Sequence, residues 1–194
     1  MIALKFDRDV PWYTIAKGVA RVPLFLPLRG QGAMGNLAGL CATLGHLEKA
    51  LNMERDVYSG FLKLQGEEHP QTLQAANNYA WGLFNLRHFE EAKALMRKMM
   101  PLAQRVLGGH HGLLLTMKWV YAWALCKDPD ATLDDLREAV TTLEKTERTA
   151  RRVLGGAHPI AEGIESALQN ARAALRVRDN GVSAIRDAVE AMAA

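Results

Sequence analysis

The sequence predicts an all-α protein, a stack of antiparallel helical hairpins, and three observations carry that prediction. A short junction recurs: Leu64-Gln65-Gly66-Glu67-Glu68-His69-Pro70 returns as Leu107-Gly108-Gly109-His110-His111-Gly112 and as Leu154-Gly155-Gly156-Ala157-His158-Pro159. Its histidines lie 42 and then 47 residues apart (69, 111, 158), a period typical of stacked repeats that cannot bury their apolar faces singly. Small residues keep the same register, Ala38 with Ala80 and Ala122, and Ala50 with Ala92 and Ala139, as close helix crossings require. Apolar residues at helical spacing surround them, Leu40, Leu83 and Leu125 on first helices and Leu95, Met96, Met99 and Val106 on a second.

Taken in order, residues 1–34 stand outside the repeat. They contain Pro11, Pro23 and Pro27 and read as a poorly ordered or loosely docked leader, with a short helix near 12–20. The repeat domain then runs over 35–194, about three and a half repeats and a final helix. Its expected helices cover 35–43 and 47–64, 70–86 and 90–107, 113–126 and 133–154, and 159–176. The longer third interval is explained by five extra residues between Leu125 and Ala139, where Asp128-Pro129-Asp130 reads as an exposed loop whose deletion costs little stability. Thr132 and Asp135 read as a capping box beyond it. Pro101 should bend its helix without breaking it.

The junction has its own chemistry. Gly66, Gly108 and Gly155 fall just past a helix, where a left-handed backbone favours glycine. Pro70 and Pro159 suit the first helical turn, where the missing N–H costs nothing. His69, His111 and His158 share the junction as structural residues. In the last unit Gln169 replaces the small residue, Asn180-Gly181 predicts a turn, and Val182, Ile185, Val189 and Met192 predict a C-terminal capping helix.

Composition excludes several classes. Net charge is +3, too small to imply nucleic acid by itself. Arg148, Arg151 and Arg152, with Arg172, Arg176 and Arg178, make basic clusters, but no aromatic residues interleave with them. No apolar run reaches the about 18 residues that a membrane span needs, so a cytoplasmic protein is expected. Cys41 and Cys126 align with apolar positions and read as reduced, buried thiols. Junction histidines a repeat apart cannot share an ion, so no metal is expected, and no nucleophile–base motif points to an enzyme. Gly30-Gln31-Gly32-Ala33-Met34-Gly35 is a formal G-x-G-x-x-G, and a nucleotide-binding enzyme built on Gly30–Gly35 is the remote alternative. The prolines before it and the lack of a following strand remove the parallel-sheet context that this motif needs.

Gln65-Gly66-Glu67-Glu68-His69-Pro70-Gln71-Thr72, Asn77-Asn78-Tyr79-Ala80 and Glu90-Glu91-Ala92 resemble the tetratricopeptide (TPR) class, in the long-period variety of kinesin light chains and nephrocystin-3-like proteins. The resemblance covers about 35–176. It departs at Gly112 and Val120, and no heptad-rich segment of the kind that joins a motor heavy chain is present. It implies a right-handed solenoid and a non-enzymatic protein-interaction scaffold without cofactors, holding a partner peptide in a concave groove lined by first helices. By the same resemblance, Asn36, Asn77 and Asn78 grip the peptide backbone, with Trp81, Trp119 and Trp123 as further candidate contacts. An oligomerisation or intramolecular docking module is the alternative.

Overall fold

The computed structural model describes residues 45–193, without side-chain detail for 182 and 185–193. The leader 1–34, the first expected helix and its Asn36 and Cys41, and Gly30–Gly35 lie outside the described residues. Among the described residues there are six helices and no strand: α1 (Leu47–Gln65), α2 (Pro70–Asn85), α3 (Phe89–Leu107), α4 (Gly112–Lys127), α5 (Leu133–Leu154) and α6 (Pro159–Ala193). None of them is long and apolar enough to cross a membrane.

Sequence neighbours pack pairwise all along the chain, and α4 also touches α2 and α6. By contrast, α1, α3 and α5 make no such contact with one another. The helices therefore form two layers, α2–α4–α6 with α4 touching both of its neighbours and α1–α3–α5 laid over the seams. The small residues sit at the crossings: Ala80, Ala122, Ala92 and Ala139 are fully buried. Leu73, Leu83, Met96, Met99, Leu114, Leu125, Leu143 and Ile164 fill the space between them. Val106, expected in the core, is 37% exposed at the end of α3. The α3 helix runs unbroken through the exposed Pro101.

The junction glycines do more than end a helix. Gly66, Gly108 and Gly155 have φ of 82°, 87° and 89° with ψ of 174°, 159° and 154°. This is the extended region at positive φ, and not the left-handed helical one; it is open almost only to glycine. Each still donates its N–H to a carbonyl four residues back, Leu62, Gln104 and Arg151 respectively. Nothing lies within 4 Å of a Cβ built on Gly108 or on Gly109, and only Gly108 has positive φ. Gly108→Ala should therefore cost about 1–3 kcal/mol through backbone strain alone. Gly109→Ala should change stability by less than about 0.5 kcal/mol. Equal urea midpoints for the two variants would show that the junction does not need its conformation.

Two expectations are corrected. The Asn180-Gly181 turn and the separate capping helix are absent: α6 continues as one helix of 35 residues through both positions. Gly181 lacks a positive φ and its surroundings are open. Glycine inside a helix costs about 1 kcal/mol, less than ending one helix and nucleating another. Arg137 at the start of α5 lies 3.7 Å from Asp179, so residues beyond 180 run past the end of α5.

The second correction concerns the insert. Lys127, Pro129 and Asp130 are exposed, but Asp128 and Ala131 are buried at 8% and 3% exposure. Asp128 accepts from Lys93 of α3 at 2.6 Å and from the backbone N–H of Asp130 at 3.0 Å. The loop is thus tied into the stack, and deleting it removes a buried ion pair. The capping box closes the loop: Thr132 Oγ1 accepts from the Asp135 N–H, and the Asp135 carboxylate accepts from the Thr132 N–H at 2.8 Å.

Candidate functional site

Helical geometry locates the face of the α2–α4–α6 layer that is turned away from the overlying helices. Tyr121 of α4 bonds to both helices of the overlying layer, accepting from Arg97 of α3 at 2.9 Å and donating to Glu138 of α5 at 2.7 Å. Trp119 and Trp123 stand two residues to either side, about 160° round the helix from Tyr121. They therefore occupy the face of α4 turned away from α3 and α5. On α2, Tyr79 stacks on Tyr58 of α1 at 6.0 Å, and Trp81 is about 160° round from it. Gln74, Asn77, Asn78 and Phe84 lie within about 60° of Trp81 on the same face.

These aromatic residues form one cluster. Ring centroids are 5.9 Å apart for Trp81–Trp119, 5.7 Å for both Trp81–Trp123 and Trp119–Trp123, and 5.1 Å for Phe84–Trp123. Trp119 also reaches α6, where a Cβ on Gly163 would fall 2.3 Å from its ring. Glycine at 163 is what lets the indole lie against the next helix. The cluster spans all three helices of its layer.

Its polar atoms are unusual. The indole N–H groups of Trp81, Trp119 and Trp123 are buried with no hydrogen-bond partner, and so are both amide atoms of Asn77. Buried polar groups are nearly always paired, and an unpaired one costs about 1–3 kcal/mol. Asn77 is 0%, Trp119 3% and Trp81 8% exposed, yet no described helix lies over this face of α4, whose helix contacts are all with α2, α3, α5 and α6. Asn78 is half-buried and accepts from Gln74 at 3.0 Å. The structure thus brings Asn77, Asn78, Trp81, Trp119 and Trp123 onto one layer face, while Asn36 lies outside the described residues.

The junction residues lie elsewhere, at the ends of the stack's helices. His69, His111 and His158 each accept through Nδ1 from the backbone N–H two residues on, of Gln71, Leu113 and Ile160, all at 3.2 Å. They are helix N-caps, a role the sequence did not reveal because Ser, Thr, Asp and Asn dominate that position. The signal was present all the same, since His69 and His158 directly precede a proline at the first helical position. No group of three metal-ligating side chains occurs among the described residues. Cys126 is a free thiol, pushed up to about 11 by burial, which makes it a poor nucleophile at neutral pH.

A second surface lies on the opposite side. Arg97, Met100, Pro101, Gln104, Arg105, Lys118, Tyr121, Glu138 and Thr142 line an open cleft of about 870 Å³ between α3 and α5. Burial, then the neighbouring Lys145, push Lys118 below its ordinary value. Two arginines of the basic clusters near the C-terminal end are paired within the fold. Arg172 pairs with Glu144 at 2.7 Å, and Arg151 pairs with Glu147 and, at 2.8 Å, with Glu165.

The tetratricopeptide repeat family matches residues 72–112, from the first turn of α2 to the start of α4. No curated protein matches the chain. Among solved structures, kinesin light chain nearly identical TPR-like repeats from Podosopora anserina are similar over 80% of this chain and 91% of that one, at 17% identity and a TM-score of 0.47.

Proposed function

We propose that this chain, whose residues 72–112 form a tetratricopeptide repeat, is a non-enzymatic scaffold that holds an extended peptide on the α2–α4–α6 face. In this reading, residues 1–34 are a leader to a repeat domain over 35–194. Tetratricopeptide repeats generally mediate protein–protein contacts, which sets the class of function. The observation that carries the site is the set of unpaired, buried donors and acceptors there: the Trp81 and Trp119 indoles and the Asn77 amide. A bound backbone supplies what they lack, because each peptide unit offers one donor and one acceptor. The aromatic cluster between them supplies apolar contact area. A cytoplasmic setting goes with this reading, given the free Cys126 thiol.

Panning a random-peptide library against the folded chain tests it. Enriched peptides should lose affinity roughly ten- to a hundred-fold with Asn36→Ala and Asn78→Ala combined, taking about 0.5–1.5 kcal/mol per lost hydrogen bond. The melting temperature should hardly move, and Lys118→Ala in the opposite cleft should bind like the parent. Enriched peptides that ignore the asparagines but respond to Lys118→Ala would place recognition in the cleft and overturn this reading.

A further inference from the structure

We propose that the cleft between α3 and α5 is a second recognition site, which holds a phosphoserine side chain of a partner protein among Arg105 of α3, Lys118 of α4 and Lys145 of α5. The cleft opens on the side opposite the tryptophan face, and its occupation does not depend on that face being filled.

The register of three helices brings these cations together. Short connections make α3, α4 and α5 antiparallel neighbours, and the hydrogen bonds of Tyr121 to Arg97 and Glu138 fix which residues stand level. One turn back along α4, Lys118 therefore stands close to level with Met100 of α3 and Thr142 of α5. Arg105 and Lys145 follow these two along their own helices, about 8 Å and about 5 Å further on at 1.5 Å per residue. Glu138, Thr142 and Lys145 are spaced i, i+4 and i+7, so Lys145 continues the α5 wall of the cleft. Lys118 feels the charge of Lys145, which adds to burial in pushing its ammonium below the ordinary value.

Charge then says what is missing. Among the described residues Lys118 and Lys145 pair with no carboxylate, whereas Lys93, Lys98, Arg137, Arg151 and Arg172 all do. Of the residues lining the cleft, Arg97, Arg105 and Lys118 are cationic and only Glu138 is anionic, a formal excess of two positive charges. Next to them, Lys145 offsets Glu68, the partner of Arg105. A half-buried ammonium without a counter-ion is costly to keep charged, and an anion in the cleft removes that cost. A phosphate monoester carries about −1.5 to −2 charges at neutral pH, which matches the excess. Its three acceptor oxygens meet donors arriving from three helices, which the two coplanar oxygens of a carboxylate do less well. Gln104 and Thr142 add an uncharged donor on either wall.

The cleft also has room for the chain that carries the phosphate. Its volume of about 870 Å³ is much more than one anion fills, and it is open along the surface. Met100 and Pro101 offer apolar contact beside the cations. Pro101 has no N–H, so the Arg97 carbonyl four residues back lacks its helical donor on this same face. A peptide N–H beside the phosphoserine supplies that donor. Free phosphate would leave both features unused, and a phosphorylated peptide segment uses both.

The test uses the full-length chain and a synthetic peptide library with one fixed phosphoserine between random residues, beside the same library with serine or glutamate in its place. The phosphoserine library should yield binders that the other two lack. Measured by fluorescence anisotropy, an enriched phosphopeptide should lose affinity about ten- to a hundred-fold with Lys118→Met and again with Lys145→Met, each of which keeps the aliphatic stem. Far-ultraviolet circular dichroism checks the fold; should Lys118→Met fail to fold, Lys145→Met, whose side chain is exposed, carries the test. Lys63→Met removes an exposed cation of α1 outside the cleft and should bind like the parent, as should Asn78→Ala on the tryptophan face. Four results would overturn the proposal: no enrichment by phosphoserine over serine, equal enrichment by glutamate, a loss with Lys63→Met as large as that with Lys118→Met, or a loss with Asn78→Ala and none in the cleft. Inorganic phosphate that displaces the phosphopeptide at equal concentration would show an adventitious ion only, and the peptide would be wrong. None of these results touches the unphosphorylated peptides expected on the tryptophan face.

Discussion

Asp128→Ala should destabilise the protein by about 3–5 kcal/mol, a large share of the total for a domain of this size. Lys93 and Asp128 are 3% and 8% exposed and lie 2.6 Å apart. Removing the carboxylate leaves the Lys93 ammonium buried with only Glu90, whose side chain is largely exposed, 2.5 Å away. Burial by itself would lower the Lys93 pKa, but the hydrogen bonds to Asp128 and Glu90 prevail and hold it above its ordinary value. The Lys93 hydrogen bond in turn holds the Asp128 carboxyl below its ordinary value. The signs follow. The Asp128 contribution is present above the unfolded carboxyl pKa and is lost as pH falls through the depressed folded one. The Lys93 contribution is present below the unfolded ammonium pKa and is lost as pH rises through the raised folded one. Replacing both partners by apolar residues, Lys93→Met with Asp128→Leu, should recover most of the loss, because no charge is then left alone. Urea unfolding of the two single variants and the double variant measures the cycle; an Asp128→Ala midpoint equal to the parent's would show that the loop is not tied down.

What was legible in the sequence depended on the range of the interaction. The junction glycines, the capping box at Thr132–Asp135 and the small residues at the crossings obey local rules or the repeat itself, and they lie where the pattern put them. The buried Asp128 was not legible. Asp-Pro-Asp has the chemistry of an exposed turn, and the partner that buries it is 35 positions away on another helix. The Asn180-Gly181 turn failed in the opposite sense: the local signal was real, but α6 continues through it as one helix. The aromatic site was half legible. Trp81 and Trp123 share a repeat position, but that their rings meet Trp119, with unpaired indoles on one face, follows from the layering of α2 and α4. The histidine caps were missed because the imidazole acts through geometry that its usual propensities do not advertise.

The last expected result is a loss of stability between mildly acidic and mildly alkaline pH that a single substitution removes. Glu54 lies on α1 with its carboxyl pressed against α2, where a Cβ on Gly82 would fall 2.1 Å from Oε2. That oxygen is buried and has no hydrogen-bond partner. Burial pushes the carboxyl up to about 8 from an ordinary 4.5. The folded protein therefore prefers the neutral acid, since an ionised carboxylate there would be desolvated without compensation. A raised folded pKa gives stability that is complete below the unfolded value and is lost as pH rises through the folded one. The window thus runs from about pH 4.5 to about pH 8, and at about 1.4 kcal/mol per unit the loss is on the order of 4–5 kcal/mol by pH 9. Glu54→Gln keeps the shape and cannot ionise. Its stability minus the parent's, measured by urea unfolding at several values from pH 5 to 9, should start near zero and climb steadily across that range. A difference that stays flat with pH would show that the Glu54 carboxylate is solvated in the folded protein and that α1 does not bury it against Gly82.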